Sequence, residues 1–198
     1  MRLINLIYIL PVLVFLNGCR EETYTPKPRG YFSVNLPEKK YQQFDKPGYP
    51  FRFEYPVYAV AEKDSTFFDQ KAENPWWLNL NIDTLGAKVY LSYKIISPQQ
   101  PLSKMLEDSY FMSHYHTKRA DYIKEPVFHT SNNVHGIFYE VGGNAASSFQ
   151  FYATDSHKHF IRGALYFNVT PNADSLKPMN EFLARDMEHF IQTLQWTR

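Results

Sequence analysis

Residues 76–83 read WWLNLNID and residues 88–95 read KVYLSYKI, and these two segments decide the fold. In both of them an apolar or aromatic residue recurs at every second position, as expected for strands that turn one face towards a core. The short stretch 84–87 between them contains Gly86 and suits a hairpin turn. The two segments therefore predict a pair of neighbouring antiparallel strands.

The rest of the chain predicts more strands and two helices. Strands are expected at 31–36, 51–55, 134–141, 147–154 and 159–169, with one helix at 101–122 and a final helix capped by Asp174 or Ser175. Short connections imply mainly antiparallel pairing, and two amphipathic helices can cover a sheet. We therefore predict one α+β domain over 31–198, a mainly antiparallel sheet packed by two amphipathic helices.

Each predicted helix carries a stripe at helical spacing that should face the sheet. The stripes comprise Leu102, Met105, Leu106, Ser109, Met112 and His116 in the first helix, and Met179, Phe182, Leu183, Phe190, Ile191 and Leu194 in the second. Aromatic side chains on the opposite face of the strands include Tyr31, Trp77, Tyr90 and Tyr152. They either form an exposed interface or lie beneath the second helix, and both interpretations stay open.

The N-terminus has the pattern of a secreted lipoprotein. Arg2 precedes an apolar run at 3–16, which is shorter than the roughly 20 apolar residues of a membrane-spanning helix. Residues 16–19 read LNGC and resemble the lipobox of bacterial lipoproteins, and Cys19 is the only cysteine in the sequence. The resemblance implies that residues 1–18 are removed and that Cys19 carries a covalent lipid. The alternatives are an ordinary signal peptide or an N-terminal anchor helix.

Residues 19–30 contain two prolines among polar residues and predict an extended tether.

Composition narrows the classes of function. With 21 Lys and Arg against 20 Asp and Glu, the chain offers no electrostatic case for binding nucleic acid. A single cysteine excludes an internal disulfide, a cysteine-rich zinc site and an iron–sulfur cluster.

Few groups in the sequence indicate catalysis or metal binding. Residues 142–148 read GGNAASS, but no lysine follows and the pattern continues into a strand, which favours a hairpin turn over a phosphate-binding loop. Ser147 lacks the glycines that frame a nucleophile elbow. The seven histidines do not show metal-ligand spacing, and Arg162 is expected to bind an anion or, more commonly, to pair with a carboxylate. The sequence therefore predicts a protein that is not an enzyme and has no metal and no small-molecule cofactor.

Six short strings along the chain are distinctive: PKPRGY at 26–31, WLN at 77–79, LSY at 91–93, GGNAASS at 142–148, HFIRGALYFN at 159–168 and PNADS at 171–175. In this order they resemble the GldD family of gliding-motility lipoproteins. The resemblance implies a non-enzymatic accessory subunit of the gliding machinery, which is tied to type IX protein secretion. It further implies attachment to a membrane of the cell envelope, more specifically the outer membrane, and other gliding and secretion subunits as partners.

Partner-binding residues are expected mainly in loops, because loops carry function more often than strands do. The candidates are Arg29, Gly30 and Tyr31 near the tether, Gly142, Gly143, Asn144 and Ser147 in the glycine-rich turn, and Trp77 and Arg162. A second hypothesis is an envelope module that binds a glycan or lipid through Trp76, Trp77 and the tyrosines. A third is a hydrolase that uses Ser147 or Ser148 with a histidine.

Overall fold

The computed structural model describes residues 34–64, 66–67 and 70–197. The predicted signal peptide (1–18) and tether (19–30), with Cys19, Arg29 and Gly30, lie outside these residues, and so does Tyr31. Within the described ranges, no helix is both long enough and apolar enough to cross a bilayer.

The described chain forms thirteen strands and two α-helices. The strands are β1 (Tyr41–Phe44), β2 (Phe51–Pro56), β3 (Val60–Lys63), β4 (Thr66–Phe67), β5 (Gln70–Lys71), β6 (Leu78–Ile82), β7 (Ala87–Ile95), β8 (Ala120–Lys124), β9 (Val127–His129), β10 (His135–Gly143), β11 (Phe149–Thr154), β12 (His159–Phe167) and β13 (Gln195–Trp196). The helices are α1 (Leu102–His114) and α2 (Ala173–Thr193), and 3-10 turns cover Asp83–Leu85 and Tyr115–Lys118.

An eight-stranded antiparallel sheet is the centre of the fold, in the order β3-β6-β7-β12-β11-β10-β8, with β9 also paired to β10. β7 and β12 pair along their full length, from Ala87 opposite Phe167 to Ile95 opposite His159. The predicted hairpin between β6 and β7 is confirmed, and Gly86 adopts φ 57° at the turn. β1-β2-β13 forms a second, smaller sheet that is not hydrogen-bonded to the main one, and β4 and β5 form a two-stranded pair. The predicted α+β architecture is confirmed.

The main core lies between one face of the large sheet, helix α2 and the small sheet. α2 contributes the stripe of Leu183, Met187, Phe190 and Ile191, close to the predicted one. The Phe190 ring centre lies 4.5 Å from that of Phe53 in β2. Full burial of each such side chain stabilises the fold by about 1.5–3 kcal/mol, so this layer dominates the packing.

Helix α1 covers the other face of the large sheet through few buried residues. Met105, Ser109 and Ser113 are the residues of α1 that are buried, and they lie over Gln150 and Phe160 on that face. The sheet is therefore covered on both faces. This agrees with the interpretation in which the aromatic side chains on the second face lie beneath a helix. The covering helix is α1, however, and not the second predicted helix.

Several predicted boundaries are wrong for identifiable reasons. The helix predicted at 101–122 ends at His114, because residues 120–124 pair with β10 as strand β8. The final helix is capped by Asn172, whose Oδ1 accepts a 3.0 Å hydrogen bond from the Ser175 amide, and not by Asp174 or Ser175. Residues 34–36 of the strand predicted at 31–36 are not in a strand.

Candidate functional site

Arg162, a predicted partner-binding residue, lies buried in β12 beneath α1. Its Nη2 donates a hydrogen bond to Gln150 Oε1, which also accepts from Ser113 Oγ at 3.3 Å. Burial lowers the pKa of the guanidinium, and the neighbouring Tyr166 and Tyr139 partly oppose this shift. The structure thus pairs Arg162 with an amide, where a carboxylate was expected, and places it away from the surface.

The two glycines of the GGNAASS segment form the end of strand β10 and not the turn itself. The pairing with β8 shifts register between Gly142 and Gly143, and only Gly143 of the two has a positive φ, at 93°. A Cβ added at Gly142 would lie 2.3 Å from the ring of Tyr122. The glycines are therefore needed here for a bulge and for the close approach of a ring.

The rest of this segment is tied to the start of α2. Asn144 Oδ1 accepts a 2.8 Å hydrogen bond from the Ala173 amide, and Ser148 Oγ donates to Asn180 Oδ1. Ser147 is fully buried. The predicted hairpin is confirmed as the connection between β10 and β11, but of its glycines and Asn144 only Gly143 has a positive φ. The polar residues of the turn make internal contacts. Whether they also bind a partner stays a prediction.

Trp77 is an interior residue. Its indole is buried, and Nε1 donates a 3.0 Å hydrogen bond to the carbonyl oxygen of Tyr93. The Tyr93 hydroxyl in turn contacts His159 Nδ1 at 2.7 Å, and the His159 ring stacks on Trp196 with ring centres 5.1 Å apart. This chain of contacts joins the large sheet to β13, so Trp77 supports the fold and is not part of an open surface.

The surface that the sequence did not predict lies beside α1. An open groove of about 440 Å³, here called the α1 groove, is lined by Leu106, Glu107, Tyr110, Phe111, Glu125, Ile137, Tyr139 and Tyr152. Phe111 is 62% exposed and Tyr110 is 47% exposed. α1 therefore buries two serines against the sheet and exposes aromatic rings. A helix that served only to pack on the sheet would bury its aromatic side chains and expose its serines.

The charged side chains that line the α1 groove are both acidic. Glu125 Oε1 lies 3.0 Å from Nε2 of His114, whose ring stacks on Tyr110 at 3.8 Å. Burial, the neighbouring Tyr152 and the charge of Glu125 raise the pKa of Tyr139 to about 12. The groove thus combines exposed aromatic surface with two acidic side chains, one of which contacts His114.

A second open groove, here called the Trp76 groove, lies at the far end of β7. It has a volume of about 530 Å³ and is lined by Asp45, Lys46, Pro47, Gly48, Tyr49, Pro50, Trp76, Tyr93, Ile95, Lys158 and Thr197. Trp76 Nε1 donates a 2.7 Å hydrogen bond to the carbonyl oxygen of Gly48, which fixes the indole at the groove. Aromatic rings and mixed charges line the same concave surface.

The serine arrangement required for the hydrolase hypothesis is not present in the described part of the chain. Ser147 Oγ donates to the carbonyl oxygen of Phe149 at 3.4 Å, and neither Ser147 nor Ser148 is hydrogen-bonded to a described histidine. His135 Nε2 does lie 2.6 Å from Ser156 Oγ, on an exposed hairpin where Ser156 has φ 65°. Over the same described ranges, His, Cys, Asp and Glu side chains form no group of three that could hold a metal ion.

The sequence matches the family described as gliding motility lipoprotein GldD over residues 21–196. The chain belongs to this family. The match begins two residues after Cys19 and continues through β13, so it includes residues 21–30 of the predicted tether and the described residues up to Trp196. This member of the GldD family is therefore a motility-related lipoprotein that associates with a membrane of the cell envelope.

Other comparisons give the GldD-family chain no further assignment. Comparison with curated proteins finds no significant match. Among solved structures, the solution structure of cyanobacterial PsbP (CyanoP) from Synechocystis sp. PCC 6803 is similar. It has 8% sequence identity and a TM-score of 0.46, over 82% of this chain and 95% of that chain.

Proposed function

We propose that this GldD-family protein is a non-enzymatic assembly subunit of the gliding-motility and type IX secretion machinery, anchored by a lipid on Cys19. The family match supports the link to motility. The lipobox at 16–19 and the tether at 19–30 support anchoring to a membrane, for which we favour the outer membrane. The partners of such a subunit are other proteins of that machinery.

The α1 groove is the observation that carries the assembly role. Soluble proteins rarely expose contiguous apolar patches without a binding function, and aromatic residues are enriched at the centres of interfaces. Tyr110 and Phe111 are neighbours on α1 and both are exposed, with further aromatic rings on the sheet beside them. A domain of this kind is suited to hold a partner protein close to a membrane.

Deletion of the gene in the native bacterium tests the proposal. Colony spreading and secretion of type IX cargo should both stop, and a plasmid copy of the wild-type gene should restore both. Loss of spreading with normal secretion would limit the role to motility. Retention of both would refute the proposed function.

The lipid anchor has a test of its own. Replacement of Cys19 by Ala removes the only thiol, and with it the acylation site. The variant should leave the membrane fraction, whereas a variant with serine in place of Gly18, another small residue, should stay there. Continued membrane fractionation of Cys19→Ala would show that another feature attaches the protein.

An envelope ligand-binding module is the alternative function, and the Trp76 groove favours it. The groove offers aromatic rings together with Asp45, Lys46 and Lys158, a mixture suited to the apolar faces and hydroxyls of a glycan. Trp76→Ala should then abolish binding to envelope glycans in an array measurement. Unchanged gliding in that variant would favour the assembly role.

A further inference from the structure

We propose that the α1 groove binds a short polypeptide segment of a partner protein, one that carries apolar side chains and at least one lysine or arginine. This inference rests on the proposed assembly function and adds the chemistry of the partner.

The form of α1 indicates that this face is built for a ligand. Its buried contacts come from Met105, Ser109 and Ser113, which give the sheet only a thin apolar cover. The larger Tyr110 and Phe111 side chains point into the open groove. Burying a side chain of this size contributes about 1.5–3 kcal/mol, so covering the two rings would supply much of the affinity of a transient complex.

The charge of the groove selects the partner. Glu107 and Glu125 are exposed, and the lining contains no lysine or arginine. Among the described residues Glu107 makes no ion pair, whereas Glu125 contacts His114. Lys118 and Lys124 lie over the rings of Tyr115 and Tyr122, outside the lining. A cation from a partner would therefore meet the negative charge of Glu107 beside the exposed ring of Phe111, which suits a cation–π contact.

The open shape of the groove favours a polypeptide over an enclosed small molecule. A volume of about 440 Å³ lies within the range of ligand sites, but these residues form a shallow channel between α1 and the β10–β11 pair. Such channels accept a helix or an extended segment whose side chains fill the apolar part. Glu107 is one helical turn before Phe111, so a partner lysine or arginine bound to Glu107 would lie close to the Phe111 ring.

Site-specific crosslinking in the native bacterium tests the inference with the full-length lipoprotein. The photoreactive residue p-benzoylphenylalanine replaces Phe111, and in a matched control it replaces the exposed Lys177 on α2. Illumination should yield an adduct at 111 and none at 177. Mass spectrometry of the adduct should identify a partner peptide with a lysine or arginine within about four residues of the attachment point.

Charge variants of Glu107 test the selectivity. Glu107→Lys should reduce the adduct at 111 about ten-fold, and Glu107→Gln should reduce it less, because repulsion costs more than lost attraction. Both variants should keep the thermal stability of the parent, since Glu107 is exposed. An adduct that is insensitive to Glu107→Lys, equal yields at 111 and 177, or no adduct at all would overturn the inference.

The identity of the adduct decides the remaining outcomes. A crosslink to a second copy of this chain, to a phospholipid, or to a peptide without a basic residue would also refute the inference. The proposed function fails separately, if deletion of the gene leaves gliding and secretion intact. Normal gliding in Glu107→Lys and Phe111→Ser strains, beside a non-gliding deletion strain, would refute the groove alone.

Discussion

The hydroxyl of Tyr41 donates a 3.0 Å hydrogen bond to Asp186 Oδ1, although the two residues are 145 positions apart. Tyr58 also donates to this carboxylate, and Lys39 forms a salt bridge with it. Burial, the hydrogen bond from Tyr41 to Asp186 and the negative charge of Asp186 raise the pKa of Tyr41 to about 12. Asp186 is 5% exposed, so one buried carboxylate joins β1 and the residues on either side of it to α2.

Asp186→Asn should lower the free energy of unfolding by about 2–3 kcal/mol. Removing one partner of a fully buried ion pair costs about 3–5 kcal/mol, and the Lys39 side chain here is 28% exposed, which reduces the loss. Urea unfolding monitored by circular dichroism measures the change. As a control, Glu38→Gln breaks an exposed pair with Lys40 and should cost under about 1 kcal/mol. Equal losses in the two variants would mean that Asp186 has no special role.

Two glycines on the sheet offer a matched test of packing. A Cβ at Gly163 would lie 2.2 Å from the ring of Phe151, and one at Gly142 would lie 2.3 Å from the ring of Tyr122. Phe151 is 1% exposed and cannot move aside, whereas Tyr122 is 54% exposed. Gly163→Ala should therefore cost about 2–3 kcal/mol and Gly142→Ala under about 1 kcal/mol by urea unfolding. The opposite order would contradict the packing described for the core.

Stability should fall as the pH drops below the ordinary pKa of histidine. Burial lowers the pKa of His159 below 6.5; Asp155 opposes this shift and Lys158 adds to it. The unfolded chain then binds a proton more readily than the folded one. The contribution of neutral His159 to the free energy of unfolding is complete above pH 6.5 and is lost as the pH falls towards the lowered pKa. The free energy of unfolding then changes by at most about 1.4 kcal/mol per pH unit.

Tryptophan fluorescence during urea unfolding at several pH values measures this effect, because Trp196 stacks on His159. The variant His159→Gln does not titrate in this range, so its stability should depend less on pH than that of the parent. Identical pH dependence in the two proteins would assign the effect to other groups.

Asn144→Ala separates a structural role from partner binding in the glycine-rich turn. The variant loses the hydrogen bond to the Ala173 amide at the start of α2, and the loss of such a cap costs about 0.5–2 kcal/mol. Thermal unfolding of Asn144→Ala beside Asn172→Ala, which removes the cap itself, should show losses of similar size. Full stability with lost gliding would instead place a partner contact at Asn144.

The variants Ser156→Ala and His135→Ala test the non-enzymatic part of the proposal. They remove the two members of the serine–histidine hydrogen bond on the exposed hairpin. Complemented strains should glide and secrete like the parent, because this pair lies on an open surface outside both grooves. Loss of gliding in both variants, with normal protein levels, would require a catalytic role to be reconsidered.

The central strands were predictable because apolar and polar side chains alternate along them without interruption. In β6 and β7 every second side chain enters one core, so the periodicity of the sequence reports the structure directly. β8 was missed because residues 120–124 (ADYIK) lack a regular alternation of apolar and polar side chains and follow a helix without a glycine or proline break, and pairing with β10 decides their conformation. Asn172 was missed as a cap because Asp174 and Ser175 are equally good capping residues by type.

The candidate surface was less predictable, for a physical reason. A stripe at helical spacing identified Met105 and Ser109 correctly as the face of α1 on the sheet. Tyr110 and Phe111 directly follow Ser109, and aromatic residues off the stripe are a signal of exposed rings. Their meeting with Tyr139 and Tyr152 depends on strand order, which local sequence does not encode.

The junction at Asp186 has a mechanical consequence for a protein held at one end by a lipid. With the proposed lipid on Cys19 as anchor, tension along the chain would reach Lys39 and Tyr41 before it reached the later strands. Both residues contact Asp186 on α2, so part of the load would pass to α2 before the long β7–β12 pair was pulled. The salt bridge would then bear part of the force, and the sheet that carries the α1 groove would keep its shape while the tether is under force.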